Sequence, residues 1–377
     1  MPIKLNHIYL GDSLKILKTF PDNSIDTVIT DPPYGLSNHS EKVIRNVLSH
    51  WLNGEDDYIP KAKGFMGKSW DAFVPPPRLW KEVFRVMKPG ATALVFAGAR
   101  TQDLMSMSLR LAGFEIKDTL MWLYGSGFPK ATDISKQLDK MFGAKRKIGA
   151  NYKKNNAVEY VDRKEEVGYE TIPATPEAKL WDGYKSHNLK PAYEPIILAI
   201  KPNEESYVQN ALKWGVAGLN IDGGRIKTSG RFPANILLDE EAAKMLDKQS
   251  SVKGNGASRF FYVAKASKRE RNMGLDGFRQ TTINDGRKKS IDNPYQRGKT
   301  PRLNGHPTVK PLKLMEYLVK LTKMPNDNQI YLDPFLGSGT TAMACKKLNR
   351  NWVGIELDTE YVKIAKARIK AIQRSLL

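Results

Sequence analysis

Residues 329–357 constrain this chain most. QIYLD (329–333) reads as a strand, Gly337-Ser338-Gly339 as a tight turn, TTAMACKKLN as a helix and WVGIEL (352–357) as a second strand. That is a complete strand-helix-strand unit, and such units build parallel sheets with helices on their faces. The N-terminal part has the same grammar. IDTVIT (25–30) is a β-branched run that stops at Asp31-Pro32-Pro33, where proline removes ladder donors, so Asp31 stands at a strand's carboxyl end. RLWKEVFRVMK (78–88) places Leu79, Val83, Val86 and Met87 at helical spacing and stops at Pro89-Gly90 before ATALVFAG, which predicts helix, turn, strand. EPIILAI (194–200) is an apolar run between Pro191 and Pro202 that is expected to rejoin the main sheet. The expected fold is therefore α/β, with one mostly parallel sheet built from both chain ends and interrupted by an insertion.

The middle of the chain is less regular. Residues 126–189 are polar and interspersed with Lys, Asn and Glu, as in an insertion. Residues 251–310 hold 14 Lys/Arg against 4 Asp/Glu, half of the chain's net charge of +20. A basic stretch of this kind suits a polyanion, nucleic acid first, through phosphate contacts and counterion release; a merely solvated basic surface is the plainer explanation. The one cysteine, Cys345, excludes an intramolecular disulfide and a multi-cysteine zinc site, and no metal is expected. No run of about 18 apolar residues occurs. Together with an N-terminus that lacks a continuous apolar segment, this points to a cytoplasmic protein without a membrane partner.

Two motifs carry chemistry. In LDPFLGSGTT (332–341), glycines between a strand and a helix allow close backbone approach to a ligand, and the helix N-terminus offers free amide hydrogens. Seventeen residues beyond Gly339, Glu356 ends the next strand, where a carboxylate can accept from both hydroxyls of a ribose. The pattern is neither the dinucleotide fingerprint nor a phosphate-binding loop. On its own it is equally an ordinary strand-to-helix turn. In Asp31-Pro32-Pro33-Tyr34, a carboxylate and a backbone carbonyl fixed at a strand end supply two acceptors, matching one exocyclic NH₂ group, and the Tyr34 ring can stack on an extruded base. Alone, this tetrapeptide is equally a proline turn capped by aspartate.

Taken together, these residues resemble the bacterial and phage S-adenosylmethionine-dependent DNA amino-methyltransferases of the β arrangement, in which the catalytic tetrapeptide precedes the cofactor motif. The resemblance covers YLGDSLKILKTFPDNSIDTVITDPPYG (9–35), RVMKPGATALVF (85–96), HPTVKP (306–311), DPFLGSGTT (333–341) and GIELDTEYVKIAKARI (354–369). It implies a Rossmann-like methyltransferase domain formed by residues 1–202 and 301–377, with a target-recognition region at 203–300. It also implies S-adenosylmethionine as cofactor, with Phe335, Gly337 and Gly339 lining its methionine and ribose side, Glu356 holding the ribose and Asp12 reading the adenine. Asp333 and Thr340 belong to the same motif, and Thr308 and Lys310 would lie near the methionine carboxylate. KGFMGKSWD (63–71) resembles a loop that closes over the flipped base, although an ordinary surface loop explains it equally. RFFYVAKASKRERN (259–272) resembles the recognition region, where Lys265, Lys268, Arg269 and Arg271 would touch phosphates unless they form a solvated basic face.

The implied reaction is direct, in-line transfer of a sulfonium methyl group to adenine N6 in double-stranded DNA after base flipping. Cytosine N4 is the alternative; by resemblance an initial Asp goes mostly with adenine and an initial Ser with cytosine. Cytosine carbon-5 would need a cysteine nucleophile, which by family resemblance stands in a Pro-Cys pair, and Cys345 lies between Ala344 and Lys346. A non-catalytic DNA-binding subunit, or a methyltransferase for RNA or protein glutamine, are readings of other classes. A companion restriction endonuclease and a homodimer are compatible with the resemblance.

Overall fold

The computed structural model describes residues 2–37, 39–61, 71–125, 127, 131–153, 167–226, 230–250, 256–264, 268–282, 301–306 and 309–372. It divides into two compact units, one of residues 1–122 with 194–377 and one of residues 123–193.

The strands in chain order are β1 (His7–Leu10), β2 (Ile25–Thr30), β3 (Met87–Phe96), β4 (Glu115–Leu123), β5 (Lys147–Lys153), β6 (Val167–Ile172), β7 (Tyr193–Ile200), β8 (Ile236–Asp239), β9 (Tyr262–Ala264), β10 (Thr281–Thr282), β11 (Pro301–Arg302), β12 (Ile330–Asp333) and β13 (Asn351–Glu356). Among the described residues, nine form one sheet in the order β1-β13-β12-β2-β3-β7-β4-β8-β9. β1, β13, β12, β2 and β3 pair in parallel, and β7 joins β3 antiparallel. Both chain ends thus contribute adjacent strands, and residues 236–264 add the parallel pair β8 and β9 at one edge.

All six residues of β2 are buried, as expected for a strand covered on both faces. Its side chains alternate, with Val28 in one apolar layer and Ile29 in the other; on β3, Ala93 and Val95 face the first layer and Leu94 and Phe96 the second. Helices Glu41–Leu52, Pro77–Val86 and Gln102–Leu111 supply Trp51, Trp80 and Met105 to the first layer. Leu312–Leu321, Thr340–Lys347 and Thr359–Ala371 supply Leu318, Met343 and Ala365 to the second. The result is a sheet between two helical layers.

The turn expected at Pro89-Gly90 lies inside β3. Ile25 pairs with Met87 while Thr27 pairs with Thr92, so the extra residues bulge out of the ladder. Gly90 has φ +78°, and a Cβ there would collide with the Asn210 side-chain amide. That amide donates to the Pro89 and Val216 carbonyls at 2.8 and 2.6 Å, so the bulge is built around a buried asparagine.

In the second unit, β5 and β6 form an antiparallel hairpin beside helices Ile134–Met141 and Pro176–Leu180. Buried Asp139 accepts from the Thr175 hydroxyl at 2.8 Å and from the Ala174 and Thr175 amides, with Arg146 3.4 Å away.

Candidate active site

Crossovers from β12 run to β13 on one side of the sheet order, while β2 leads to β3 on the other, so the sheet's switch point lies between β12 and β2. Ligands of open α/β sheets bind outside the carboxyl ends of the strands at such a point. Asp333 closes β12 and Asp31 directly follows β2; Glu356 closes β13, paired with Leu10 of β1, and Asp12 lies two residues further on. Four neighbouring strand ends therefore carry the acidic residues that the sequence singled out.

The glycine turn is held from both sides. Buried Asp333 accepts from Thr341 Oγ1 at 2.6 Å, Thr30 Oγ1 at 2.7 Å and the Phe335 amide at 3.1 Å. Burial outweighs these donors and pushes its carboxyl up to about 6. Glu356 accepts from the Gly337 amide at 2.7 Å and the Asp358 amide at 2.8 Å, and burial raises its pKa. Gly337 has φ +53°, and a Cβ there would lie 2.6 Å from His306 Nε2; Gly339, φ +84°, caps the helix Thr340–Lys347, with Ala365 Cβ 3.0 Å from where its own Cβ would be. Both positions need glycine for backbone and space alike. Burial, aided by the cations of Lys310, Arg368 and Arg271, pushes His306 down to about 3, so its ring is neutral.

Asp12 caps the helix Ser13–Leu17 by accepting from the Lys15 amide at 3.0 Å, and the Ser13 hydroxyl donates to the Pro334 carbonyl at 2.6 Å. The Phe335 ring lies 6.4 Å from that of Trp80. The Thr340 hydroxyl accepts from Arg368 at 3.3 Å.

At the β2 end, Tyr34 is fixed through its backbone: its carbonyl accepts from Thr101 Oγ1 at 2.7 Å, and the next amide, Gly35, donates to Asp71 Oδ1 at 2.9 Å. Pro32 is buried and Pro33 half-buried beside it. The Tyr34 hydroxyl faces Asp31 Oδ1 at 2.8 Å and Glu194 Oε2 at 3.1 Å. Lys310 Nζ lies 2.7 Å from Asp31 Oδ2 and 3.3 Å from Glu194 Oε2. Burial and the two carboxylates push the Tyr34 phenol well above its usual range. Burial opposes the Lys310 charge, but the same carboxylates raise its pKa overall.

Lys310, expected beside a cofactor carboxylate, is thus engaged with the tetrapeptide. Sequence reasoning missed Glu194, although it is the one charged residue in the strand Tyr193–Ile200. It also missed Thr101, which carries no local signal, while Asp71 ends the stretch KGFMGKSWD. Arg271 donates to the His306 carbonyl at 3.2 Å. Lys268 and Arg269 lie in the helix Lys268–Arg271, and their side chains, like Lys265, Thr308 and residues 63–70 of KGFMGKSWD, lie outside the described residues. Cys345 is buried in the helix Thr340–Lys347, and burial pushes its thiol up, the opposite of what a nucleophile needs.

The chain is similar to known DNA methyltransferases. The chain is 24% identical over 376 residues to the type II methyltransferase M.HindIII of Haemophilus influenzae, covering 96% of this chain and 94% of that one. It is 45% identical over 64 residues to the type II methyltransferase M.HpaI of Haemophilus parainfluenzae, covering 17% of this chain and 20% of that one. Among solved structures, the cytosine-N4-specific PvuII DNA methyltransferase aligns with a TM-score of 0.47 at 16% identity, covering 96% of this chain and 85% of that one. A model of the N6/N4 methyltransferases, described as DNA methylase, matches residues 25–367, nearly the whole chain, and the chain therefore belongs to that DNA methylase family.

Proposed function

We propose that this DNA methyltransferase acts on adenine N6 in duplex DNA, with Asp31 and the Pro32 carbonyl accepting the two hydrogens of the target amine. The observation that carries this reading is the position of Asp31, at the switch point of the sheet and joined to the glycine motif through Thr30 and Asp333. When bound, S-adenosylmethionine supplies an electrophilic methyl group.

The residues present fit that cofactor. Gly337 and Gly339, both at positive φ, shape the turn that leads from β12 into the helix Thr340–Lys347. The helix after Gly339 has no side-chain cap, which leaves its first amides for a carboxylate. Glu356 retains lone pairs beyond the two amides it accepts, enough for ribose hydroxyls, and Asp12 sits one strand away for the adenine. Two acceptors on the amine hydrogens leave the nitrogen lone pair directed at the methyl group, and the Tyr34 ring offers a stacking face for a flipped base. The basic stretch 203–300, including Lys268, Arg269 and Arg271, is the proposed DNA-contacting region. A companion endonuclease fits the type II relatives.

Cytosine N4 is the competing target, and Asp31 as the first residue of the tetrapeptide favours adenine. Incubation of duplex DNA with the chain and its cofactor, followed by nucleoside mass spectrometry, tests this. N6-methyladenine is expected, and N4-methylcytosine alone would overturn the base assignment.

A further inference from the structure

We propose that Glu194 is a positioning residue for methyl transfer, drawing the Tyr34 hydroxyl away from Asp31 so that Asp31 Oδ1 is released to the incoming amine. The proposal rests on the reading of Asp31 as the amine acceptor. In the structure both Asp31 oxygens already face donors: Oδ2 has the Lys310 ammonium at 2.7 Å and Oδ1 the Tyr34 hydroxyl at 2.8 Å. Each oxygen keeps a second lone pair, but an arriving N–H group competes there with the donor already in place. A phenol has a single proton to donate, and the Tyr34 oxygen also lies 3.1 Å from Glu194 Oε2. The hydroxyl can therefore turn from one carboxylate to the other without losing its hydrogen bond.

Lys310 makes that exchange lopsided. Its side chain is only 6% exposed, and it sits between the two carboxylates, 3.3 Å from Glu194. It keeps Oδ2 occupied and holds the glutamate's charge beside Tyr34, so Oδ1 is the oxygen to be freed. The Glu194 side chain, 27% exposed, has room to follow the hydroxyl. Its place in the strand is also telling: every residue from Pro195 to Ile200 is buried. A carboxylate next to such a run costs desolvation unless its partners require it.

A purely structural role, as second counter-ion to Lys310, predicts something different, because that role does not pass through the Tyr34 hydroxyl. Kinetics of labelled methyl transfer to duplex DNA separate the two across wild type, Glu194→Ala, Tyr34→Phe and the double variant, with cofactor binding measured by calorimetry as the check on folding. Glu194→Ala is expected to lower kcat about 10- to 100-fold, the worth of a hydrogen bond to a charged group. KM and cofactor affinity should stay within about twofold, because the cofactor motif is untouched. Glu194→Gln, whose amide oxygen still accepts the hydroxyl, should recover most of the rate. In the Tyr34→Phe background, Glu194→Ala should cost less than about threefold, because the two residues act as one unit. If the alanine variant does not fold, Glu194→Met fills the volume without an acceptor and carries the same expectations. An undiminished Glu194→Ala rate, or an equal loss with and without the Tyr34 hydroxyl, overturns the proposal alone. No transfer by the wild-type chain overturns the methyltransferase reading and this proposal with it.

Discussion

Thr30 Oγ1 donates to Asp333 Oδ1 at 2.7 Å, joining residues 303 positions apart. Thr30 is the last residue of β2, directly before Asp31, and Asp333 opens the glycine motif at the end of β12. The two chemical halves of the site are therefore fastened at one buried hydrogen bond between adjacent parallel strands, and Thr341 on the same carboxylate extends the fastening into the following helix.

Asp333 gives this junction a pH signature. Its carboxyl is raised from 3.8 to about 6, so between those values the folded chain holds a proton that the unfolded chain has lost. Stability falls as pH rises through that window, by up to ~3 kcal/mol. Asp333→Asn cannot ionise and should lack that component. Urea midpoints at pH 4.5 and 6.5 measure it: the wild type should lose more stability than the variant, and parallel behaviour would remove the account of this carboxyl.

Glycine is required at 337 for a reason that a control can isolate. Gly337→Ala meets both a left-handed backbone and His306 Nε2 at 2.6 Å, whereas Gly54, φ +89°, has nothing within 4 Å of its Cβ position. Gly54→Ala should cost about 1 kcal/mol of backbone strain alone. Gly337→Ala should cost about 2–4 kcal/mol and weaken cofactor binding at least about tenfold, read by thermal melting and calorimetry.

Glu356 serves the loop as well as the ligand. Glu356→Ala strands the Gly337 and Asp358 amides and removes the proposed ribose acceptor, so cofactor affinity should fall by about 100-fold. Glu356→Gln keeps one acceptor oxygen and should fall by less. Equal affinities in wild type and Glu356→Ala would place the ribose elsewhere.

The parts of this molecule legible in the sequence are those whose signal is local. The buried β-branched run of β2 and the strand, turn and helix around Gly337 to Gly339 announce themselves by periodicity and glycine, and strands stand where they were read. Pro89-Gly90 was legible as an interruption but not as a bulge, because the residue that stabilises it, Asn210, comes from 120 positions later. Glu194 and the contact between Lys310 and Asp31 were hidden for the same reason: only the assembled sheet brings β7 and the residues before helix Leu312–Leu321 to the end of β2.

In the proposed reaction, Asp31 holds the amine that receives the methyl group. Transfer of labelled methyl to duplex DNA by wild type and Asp31→Ala, with cofactor binding measured on the same samples, tests it directly. The wild type should label N6-methyladenine, and the variant should bind cofactor with similar affinity while transferring at least about 1,000-fold more slowly. Methylation by Asp31→Ala at a rate near that of the wild type would contradict the account.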